Sequence, residues 1–335
     1  MAKKIKVLVI GELAGNQLSP GTRELLGGGR DLADSLGARV GIVLLSETAG
    51  KTGAEAIAYG ADEVYQAEAE FLKNYQPEIH LQVLEKIVKK IGPEILLLAQ
   101  TATGRDLAPR LAYRLKTALA PDCVALAIDP DSGLLRMTRP VYGGRALAVL
   151  VCKTRPQMAT VRFRALKSRE PDMSRSGEIK SVTPELNQSK TKSKFIEKVA
   201  EEVKGVPLED ARVVVCGGRG MGGAEAYALL EELAQFWGGA VGATRPACDS
   251  GWVSSARQIG LTGKIVSPSL YLAVALSGSS QHMAGCGNSK MIVAINKDPE
   301  ANIFSFANYG VVGDYRRILP PLIQRLKQVR KGPEE

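Results

Sequence analysis

The sequence predicts an α/β protein of two domains, and three observations lead to that prediction. The chain has 335 residues, more than a single hydrophobic core usually serves. Strand-like apolar runs alternate with amphipathic helical stretches in both halves, as in parallel sheets covered by helices. A stretch rich in Ser, Lys, Arg, Glu and Pro separates the halves. We expect an N-terminal domain over 1–166, a basic linker and connecting helix over 167–204, and a C-terminal domain over 205–335.

The first domain begins with the strand-like run IKVLVIGEL, followed by the helical stretch GTRELLGGGRDLADSLG. The strand-like runs RVGIVLLSE, ADEVYQAE and ILLLAQTATG and the helix IHLQVLEKIVKKIG continue the alternation, which implies right-handed crossovers and a mainly parallel sheet. From Pro121 onward, short β-rich runs such as RALAVLVCKT and MATVRFRAL lie between turn residues. These runs predict antiparallel strands that extend the edge of the sheet.

The second domain follows a predicted helix, KFIEKVAEEVKG, and opens with the strand VVVCG. A helix AEAYALLEELAQFWG, a strand AVGAT, a long loop, a strand LYLAVALSG and a helix SSQHMAG come next. Two further strands, MIVAINKD and NIFSFANYGVVG, precede the final helix YRRILPPLIQRLKQVRK. The pattern predicts a Rossmann-like domain.

Composition argues against several classes of protein. The net charge is +9, but the basic residues are spread along the chain, so we expect no nucleic-acid surface. The start MAKKIKVLVIGEL contains no apolar leader and no stretch approaches a membrane span, so we expect a cytoplasmic protein without membrane insertion. The cysteines never show C-x-x-C spacing, which argues against disulfides, metal and iron–sulfur sites; they are Cys123, Cys152, Cys216, Cys248 and Cys286.

The stretch GGRGMGG follows a strand and precedes a helix, and its Gly218, Gly220 and Gly223 match G-x-G-x-x-G. Such glycines let backbone N–H groups approach a pyrophosphate, and Arg219 adds a positive charge. A nicotinamide site also needs an acidic residue at the end of the next strand, whereas that strand ends in Thr244 and Arg245. An anionic cofactor is therefore favoured over NAD, and a turn that binds nothing is the alternative.

Other polar groups are predicted at strand ends or in loops of the second domain. Arg245 would lie at the carboxyl edge of the sheet, and Thr262 lies in the glycine-flanked loop IGLTGK. His282 falls in the first turn of a helix among small polar residues, where a negative ligand group would favour it, whereas His80 is expected to be structural. Each has a plainer alternative. Arg245 could be an ordinary surface arginine, the loop IGLTGK a connector, and His282 a core histidine with hydrogen-bond partners in the protein.

Several motifs together resemble the electron-transfer flavoprotein alpha subunit. Its FAD domain is resembled by VVVCGGRGMGG, GATRPACDSGW, QIGLTGKIVSPSLYLAVALSGSSQHMAG and SKMIVAINKDPEANIFSFANYGVVGD. Its N-terminal domain is resembled by LLAQTATGRDLAPRLA, RPVYGGRALA and RPQMATVR. The motifs occur in the family's order and spacing over nearly the whole chain, with the stretch 167–194 outside.

The resemblance implies one FAD in the second domain and a beta subunit that contacts the first domain and holds a second FAD or an AMP. It also implies single-electron transfer between a flavoenzyme of the acyl-CoA dehydrogenase type and an acceptor such as a quinone oxidoreductase. A plain carrier and a subunit of an NADH-dependent bifurcating complex that reduces ferredoxin both stay open. No metal is implied.

The resemblance also assigns residues. Arg219 would lie near the phosphates, Arg245 at the flavin ring, Thr244 and Thr262 on the ring or its chain, and Ile259, Gly260 and Leu261 along an adjoining wall. The pyrophosphate and ribityl region would be held by Ser277, Gly278, Ser279, Ser280 and Gln281, and the adenosine half by Asn296, Asp314 and Tyr315. His282 would donate to the flavin's pyrimidine-side oxygen and, with Arg245, raise its potential.

Two departures from the family pattern are visible. Leu261 stands where the family commonly has Gln, so a side-chain contact there is lost, while Thr244 replaces a frequent Ser and keeps the hydroxyl. Outside the family, the sequence leaves two alternatives: an NAD-binding oxidoreductase and a nucleotide-binding regulatory module.

Overall fold

The computed structural model describes residues 4–48, 50–144, 146–187, 191–197 and 205–331. Contacts divide these residues into two compact units. The first unit takes the described residues of Met1–Val141 and Leu147–Glu197, and the second takes those of Tyr142–Ala146 and Lys198–Glu335.

The first unit alternates strands and helices up to Cys123 and is β-rich thereafter. Its elements are β1 (Ile5–Gly11), β2 (Leu13–Ala14), β3 (Gln17–Leu18), α1 (Pro20–Ser35), β4 (Arg39–Ser46), α2 (Thr52–Ala58), β5 (Glu63–Glu68), α3 (Pro77–Ile91), β6 (Ile95–Ala99), α4 (Ala102–Leu115), β7 (Leu119–Cys123), β8 (Ala125–Ile128), β9 (Leu135–Val141), β10 (Ala146–Val151), β11 (Gln157–Val161) and β12 (Glu178–Ser181).

Seven strands form one sheet in the order β12-β5-β4-β1-β6-β11-β7, and all neighbours in it are parallel. Helices cover both faces, since α1 and α2 pack on one buried layer and α3 and α4 on the other. Central strands such as β6 are buried along their whole length, which explains their uninterrupted apolar sequences. The predicted parallel α/β fold is confirmed.

The β-rich part of this unit contains antiparallel strands as predicted, but not at the edge of the parallel sheet. The strand β11 lies inside the parallel sheet, between β6 and β7, rather than antiparallel at its edge. It is buried at every position, as a central strand requires. The strands β10, β9 and β8 form a separate sheet of three, in which β8 and β9 are antiparallel.

The predicted linker is also partly ordered. Within it, β12 pairs with β5 and completes the edge of the large sheet. The Lys180 Nζ lies 2.6 Å from the Glu63 carboxylate. Charged residues of this kind are typical of a solvated segment, but here an ion pair joins the two paired strands. Residues 191–197 form no helix or strand, and 198–204, where most of the connecting helix was predicted, lie outside the described residues.

The second unit has five strands and four helices among its described residues. They are β13 (Val213–Gly217), α5 (Tyr227–Phe236), β14 (Ala240–Ala243), α6 (Arg245–Asp249), β15 (Leu270–Val274), α7 (Ser280–Cys286), β16 (Ile292–Asn296), β17 (Tyr309–Val312) and α8 (Tyr315–Lys331). The predicted strand NIFSFANYGVVG contains instead a 3-10 turn, Asn302–Ser305, and the short β17. No helix in the described part of the chain is long and apolar enough to cross a membrane.

The five strands are parallel, in the order β14-β13-β15-β16-β17. The helices α5, α6 and α8 bury one face of the sheet and α7 the other. The chain winds from β13 outward to β14, then crosses β13 to continue with β15. The carboxyl ends of β13 and β15 therefore flank the point where the winding reverses, which is where ligands of open α/β sheets bind.

Candidate functional site

The candidate site is the carboxyl edge of the second sheet. Because the five strands are parallel, the segments that follow them all emerge at this edge. The glycine stretch after β13, the Thr244–Arg245 pair after β14 and the serine-rich turn after β15 meet there. These are the predicted segments of the second domain.

The glycine stretch packs against the end of β15. The Gly218 N–H donates to Val274 O at 3.0 Å, and the Gly220 N–H donates to Ala275 O at 3.1 Å. A Cβ on Gly218 would lie 2.4 Å from the Ala275 carbonyl oxygen. These two glycines therefore allow close backbone packing, and their N–H groups are used within the protein rather than left for a phosphate. Arg219, in the 3-10 turn between them, is exposed.

The Thr244–Arg245 pair combines a buried hydroxyl with an exposed cation. The Thr244 N–H donates to Gly217 O at 3.0 Å, which fixes this residue beside the end of β13. The Thr244 Oγ1 is buried and has no hydrogen-bond partner among the described residues. The Arg245 side chain is 66% exposed, with Nε 3.3 Å from Asp249 Oδ2. A buried hydroxyl without a partner costs about 1–3 kcal/mol, so this position favours a ligand atom.

The loop Ile259–Thr262 lies beside the first turn of α7. The Leu261 N–H donates to Gln281 O at 2.8 Å, and Thr262 Oγ1 accepts from Gln258 Nε2 at 3.0 Å. Gly260 has φ +144°, and a Cβ there would lie 3.0 Å from Gln281 O. Ile259 is buried, whereas the Leu261 side chain is 53% exposed. The structure thus brings the predicted wall residues against the predicted pyrophosphate segment.

Two asparagines hold the turn that leads into α7. Asn296 Nδ2 donates to Leu276 O at 2.9 Å, and Asn302 Nδ2 donates to Gly278 O at 2.6 Å. Gly278 has φ +73°, and a Cβ at this position would lie 2.5 Å from the Ile303 backbone. The turn leaves an exposed polar run at the start of α7: Ser279, Ser280 and Gln281, preceded by the exposed Ser277.

His282 is placed differently from the prediction. The side chain is 5% exposed, and both ring nitrogens have protein partners. Nδ1 lies 3.0 Å from Ile259 O and Nε2 lies 2.8 Å from Tyr271 OH. Since a carbonyl only accepts, Nδ1 carries the proton and Nε2 accepts from the tyrosine hydroxyl. Burial lowers the pKa of His282 to about 4, so the imidazole is neutral, and a contact with a ligand would require one of these bonds to be exchanged.

The predicted adenosine-side residues also have structural partners. Tyr315 is buried and its hydroxyl donates to Met221 O at 2.6 Å, which ties α8 to the glycine stretch. Asp314 Oδ1 accepts from the Arg316 N–H at 2.9 Å at the start of α8 and is exposed. Asn296 holds the Leu276 carbonyl as described above. Of the three residues, Asp314 is the only exposed one, and its carboxylate is open to solvent.

Two contributors were missed by the sequence analysis. Tyr271 stands within the apolar strand LYLAV, and a fully buried tyrosine hydroxyl needs a partner, which was the available signal. Asn302 lies in a stretch predicted as strand, and its role depends on a turn brought near from elsewhere in the chain, so no local signal identified it.

Two family models match the chain, one in each half. The family model "Electron transfer flavoprotein domain" matches residues 7–187, and "Electron transfer flavoprotein FAD-binding domain" matches residues 207–287. The chain is 43% identical over 309 residues to the electron transfer flavoprotein subunit alpha of Thermoanaerobacterium thermosaccharolyticum, covering 92% of this chain and 93% of that protein.

Two further relatives have the same extent. The electron transfer flavoprotein subunit alpha of Megasphaera elsdenii is 40% identical over 329 residues, covering 97% of each chain. Protein FixB of Clostridium saccharobutylicum is 38% identical over 325 residues, covering 96% of each chain. Because both family models and full-length relatives match, this chain belongs to the electron transfer flavoprotein alpha-subunit family.

Proposed function

We propose that this chain binds one FAD at the carboxyl edge of its second sheet and transfers electrons through it. The observation that carries the proposal is the buried, unpartnered hydroxyl of Thr244 beside the exposed guanidinium of Arg245 at the reversal point of the sheet. The match of residues 207–287 to the FAD-binding domain supports it.

The polar groups at this edge suit a flavin and its anionic chain. Thr244 and Thr262 supply hydroxyls for the ring or its ribityl chain, and Arg245 and Arg219 supply positive charge at the ring and phosphates. The exposed polar run from Ser277 to Gln281 supplies donors for the ribityl and pyrophosphate region. Asn296, Asp314 and Tyr315 border the adenosine half.

Within this proposal His282 acts indirectly. Its imidazole holds the Ile259 carbonyl and so fixes the loop carrying Gly260 and Thr262 against α7. The bound FAD supplies the capacity to take and give single electrons. Arg245, as the exposed cation nearest the unpartnered hydroxyl, stabilises negative charge on the reduced cofactor and raises its potential.

A beta subunit is the expected partner, and the first unit offers an apolar surface for it. The strand β10 exposes four large aliphatic side chains, with Leu147 at 62%, Val149 at 54%, Leu150 at 37% and Val151 at 45% exposure. An exposed apolar strand of this kind is typical of protein–protein contact surfaces. We propose that it docks on the beta subunit, which holds a second FAD or an AMP.

The test of cofactor binding compares matched variants. Thr244→Val and Arg245→Ala are each expected to lower the FAD retained per chain by about tenfold or more, since each removes one or more hydrogen bonds to a buried or charged group. Thr244→Ser and the surface variant Arg325→Ala are expected to retain FAD as the unaltered chain does. FAD is measured by absorbance after release from the purified protein. Equal FAD in all four variants would overturn this site.

A second measurement separates a plain carrier from a bifurcating complex. The chain is purified with its beta subunit, and the released nucleotides are identified and counted. One FAD with one AMP indicates a carrier between an acyl-CoA dehydrogenase-type flavoenzyme and a quinone oxidoreductase. Two FAD indicate the NADH-dependent, ferredoxin-reducing class, and no flavin would contradict the proposed function.

A further inference from the structure

The first unit has a cavity of its own at the carboxyl edge of its sheet. It has a volume of about 400 Å³ and is lined by the ends of β1, β4 and β6, by α3 and by the start of α4. The strand order reverses at this place, because the chain winds from β1 to β4 and β5 and then returns to β6 on the other side of β1. By the rule that applies to the second sheet, this is a position for a ligand.

The polar side of the cavity presents hydrogen-bond acceptors. Glu47 follows β4 directly, and Glu12 follows β1 directly. The Thr101 hydroxyl donates to Glu12 Oε1 at 2.5 Å, and Lys73 Nζ lies 3.0 Å from Glu47 Oε2. Burial raises the pKa of Glu12, against the effect of the Thr101 hydrogen bond. Both carboxyl groups are thus held in place by protein contacts while they line the cavity.

Ser46 provides an independent sign of a ligand. It is the last residue of β4, lines the cavity and is 9% exposed. Its hydroxyl oxygen is buried and has no hydrogen-bond partner among the described residues. Leaving such a group without a partner costs about 1–3 kcal/mol, which a ligand atom at this position would offset.

The other side of the cavity suits a flat apolar group. Six leucines are among the lining residues: Leu13, Leu45, Leu72, Leu84, Leu98 and Leu107. The Tyr75 and His80 rings lie edge to face with centroids 5.0 Å apart, also along the lining. A ligand with an aromatic ring at one end and hydroxyl donors at the other matches both sides.

A diphosphate does not fit the neighbouring helix start. At the beginning of α1 the Thr22 N–H donates to Ser19 Oγ at 3.2 Å, and Thr22 Oγ1 donates to Glu12 O at 2.8 Å. Pro20 has no N–H to offer, and Lys73, the cation of the lining, is already paired with the Glu47 carboxylate beside the Glu12 carboxyl group. No group of three or more metal-binding side chains that could offset this charge occurs in the described ranges.

We propose that this cavity binds a nucleoside, with the ribose diol donating to Glu47 and the base lying against the leucines. An acidic residue at the end of the strand next to the first is the position that holds a ribose diol in dinucleotide-binding sheets. The site is separate from the FAD site of the second unit, so it does not depend on the proposed function.

The experiment is calorimetric titration of the FAD-loaded full chain with adenosine. Adenosine is expected to bind, with 2′-deoxyadenosine and adenine each at least about tenfold weaker, because each lacks a charge-assisted hydrogen bond. The deoxynucleoside comparison uses the unaltered chain, so it holds even if a variant does not fold. Adenosine monophosphate is expected to bind no better than adenosine. Adenine or deoxyadenosine binding as tightly as adenosine, or no heat with adenosine, would overturn the proposal.

Variants then locate the site. Glu47→Gln and Ser46→Ala are expected to weaken adenosine binding by about tenfold and fivefold. Glu178→Gln makes the same chemical change on β12, outside the cavity, and is expected to leave binding unchanged. Binding that survives Glu47→Gln but disappears in Arg245→Ala would place adenosine in the flavin site instead and overturn the proposal.

Discussion

The two parallel sheets present different chemistry at their carboxyl edges. In the first unit the edge encloses a cavity between carboxylates and leucines, with Glu12 and Glu47 on its polar side. In the second unit the edge carries exposed cations, Arg219 and Arg245, beside the buried hydroxyl of Thr244. The two edges therefore share one strand arrangement and differ in the charge of the residues that follow the strands.

At the level of the backbone, by contrast, glycines at the two edges serve the same purpose. In the first unit, a Cβ on Gly104 would lie 1.8 Å from the Ala99 carbonyl oxygen, where α4 approaches β6. In the second, a Cβ on Gly218 would lie 2.4 Å from the Ala275 carbonyl oxygen. Both glycines bring a strand end and a following segment together, independently of any ligand.

The largest expected effect comes from adding a methyl group at these two glycines. Gly104→Ala and Gly218→Ala are each expected to lower the free energy of unfolding of their own unit by about 3 kcal/mol, because backbone must move to make room. Hydrogen exchange followed by mass spectrometry assigns the loss to one unit. Gly223→Ala, where a Cβ meets nothing within 4 Å, is the control and is expected to change little. Equal loosening of both units by either variant would contradict the independence of the two contacts.

The strand order could be predicted from the sequence only in part. The alternation of apolar runs and amphipathic stretches predicted most of the parallel strands of both units, because each run is long and a helix follows it directly in the sequence. The pairing of β12 with β5, and of β11 between β6 and β7, joins residues far apart in the chain, so local patterns carried no information about it. Gly218 and Gly220 were predicted as a phosphate cradle because a motif does not show which acceptor an N–H will find.

The site was predictable as a set of segments but not as a set of contacts. The hydroxyl and cation after β14 were located from residue type and strand end. The position of His282 depended on Tyr271, whose hydroxyl approaches it across the buried face of α7. A histidine among small polar residues in sequence thus became a core histidine in space.

The pH dependence of the stability of the second unit tests the buried position of His282. Burial lowers the pKa of His282 to about 4, while the unfolded chain has the ordinary value near 6.5. On acidification the unfolded chain takes up the proton first, so the free energy of unfolding falls between about pH 6.5 and 4, by about 3 kcal/mol. His282→Gln is expected to flatten this slope in the second unit only.

The control for that measurement is His80→Gln, the matching change in the first unit. Burial also lowers the pKa of His80, so its replacement is expected to change the acid slope of the first unit and leave the second as it was. Exchange rates of each unit are compared from pH 7 to pH 4.5. A slope of the second unit that is the same with and without His282 would contradict the buried, neutral imidazole.

The smallest expected effect is a loss of stability of the first unit as the pH rises, whereas the second unit loses stability as the pH falls. Burial raises the pKa of Glu24 to about 7, although the Arg164 N–H donates to its carboxylate at 2.7 Å. The folded state therefore holds this proton more tightly than the unfolded chain does. Its contribution to stability is complete below about pH 4.5 and is lost as the pH rises through about 7.

Replacing this carboxyl isolates the contribution. Glu24→Gln is expected to reduce the loss of first-unit stability between pH 5 and 8, measured by thermal unfolding at each pH. Glu185→Gln, at an exposed position of the same unit, serves as the comparison and is expected to follow the unaltered chain. An equal loss in Glu24→Gln and in the unaltered chain would mean that the carboxyl is ionised in the folded protein at these pH values, which would contradict the raised pKa.

The late arrival of β12 has a consequence for synthesis. The sheet of the first unit has an open edge at β5 until residues 178–181 leave the ribosome and pair with it. An unpaired strand edge is a template for association between chains, so nascent chains that end shortly before this point are the ones most exposed to aggregation. The charged pair of Lys180 and Glu63 then closes that edge with groups that discourage further strand addition. We therefore expect this segment, which resembles a spacer in composition, to limit association between nascent chains.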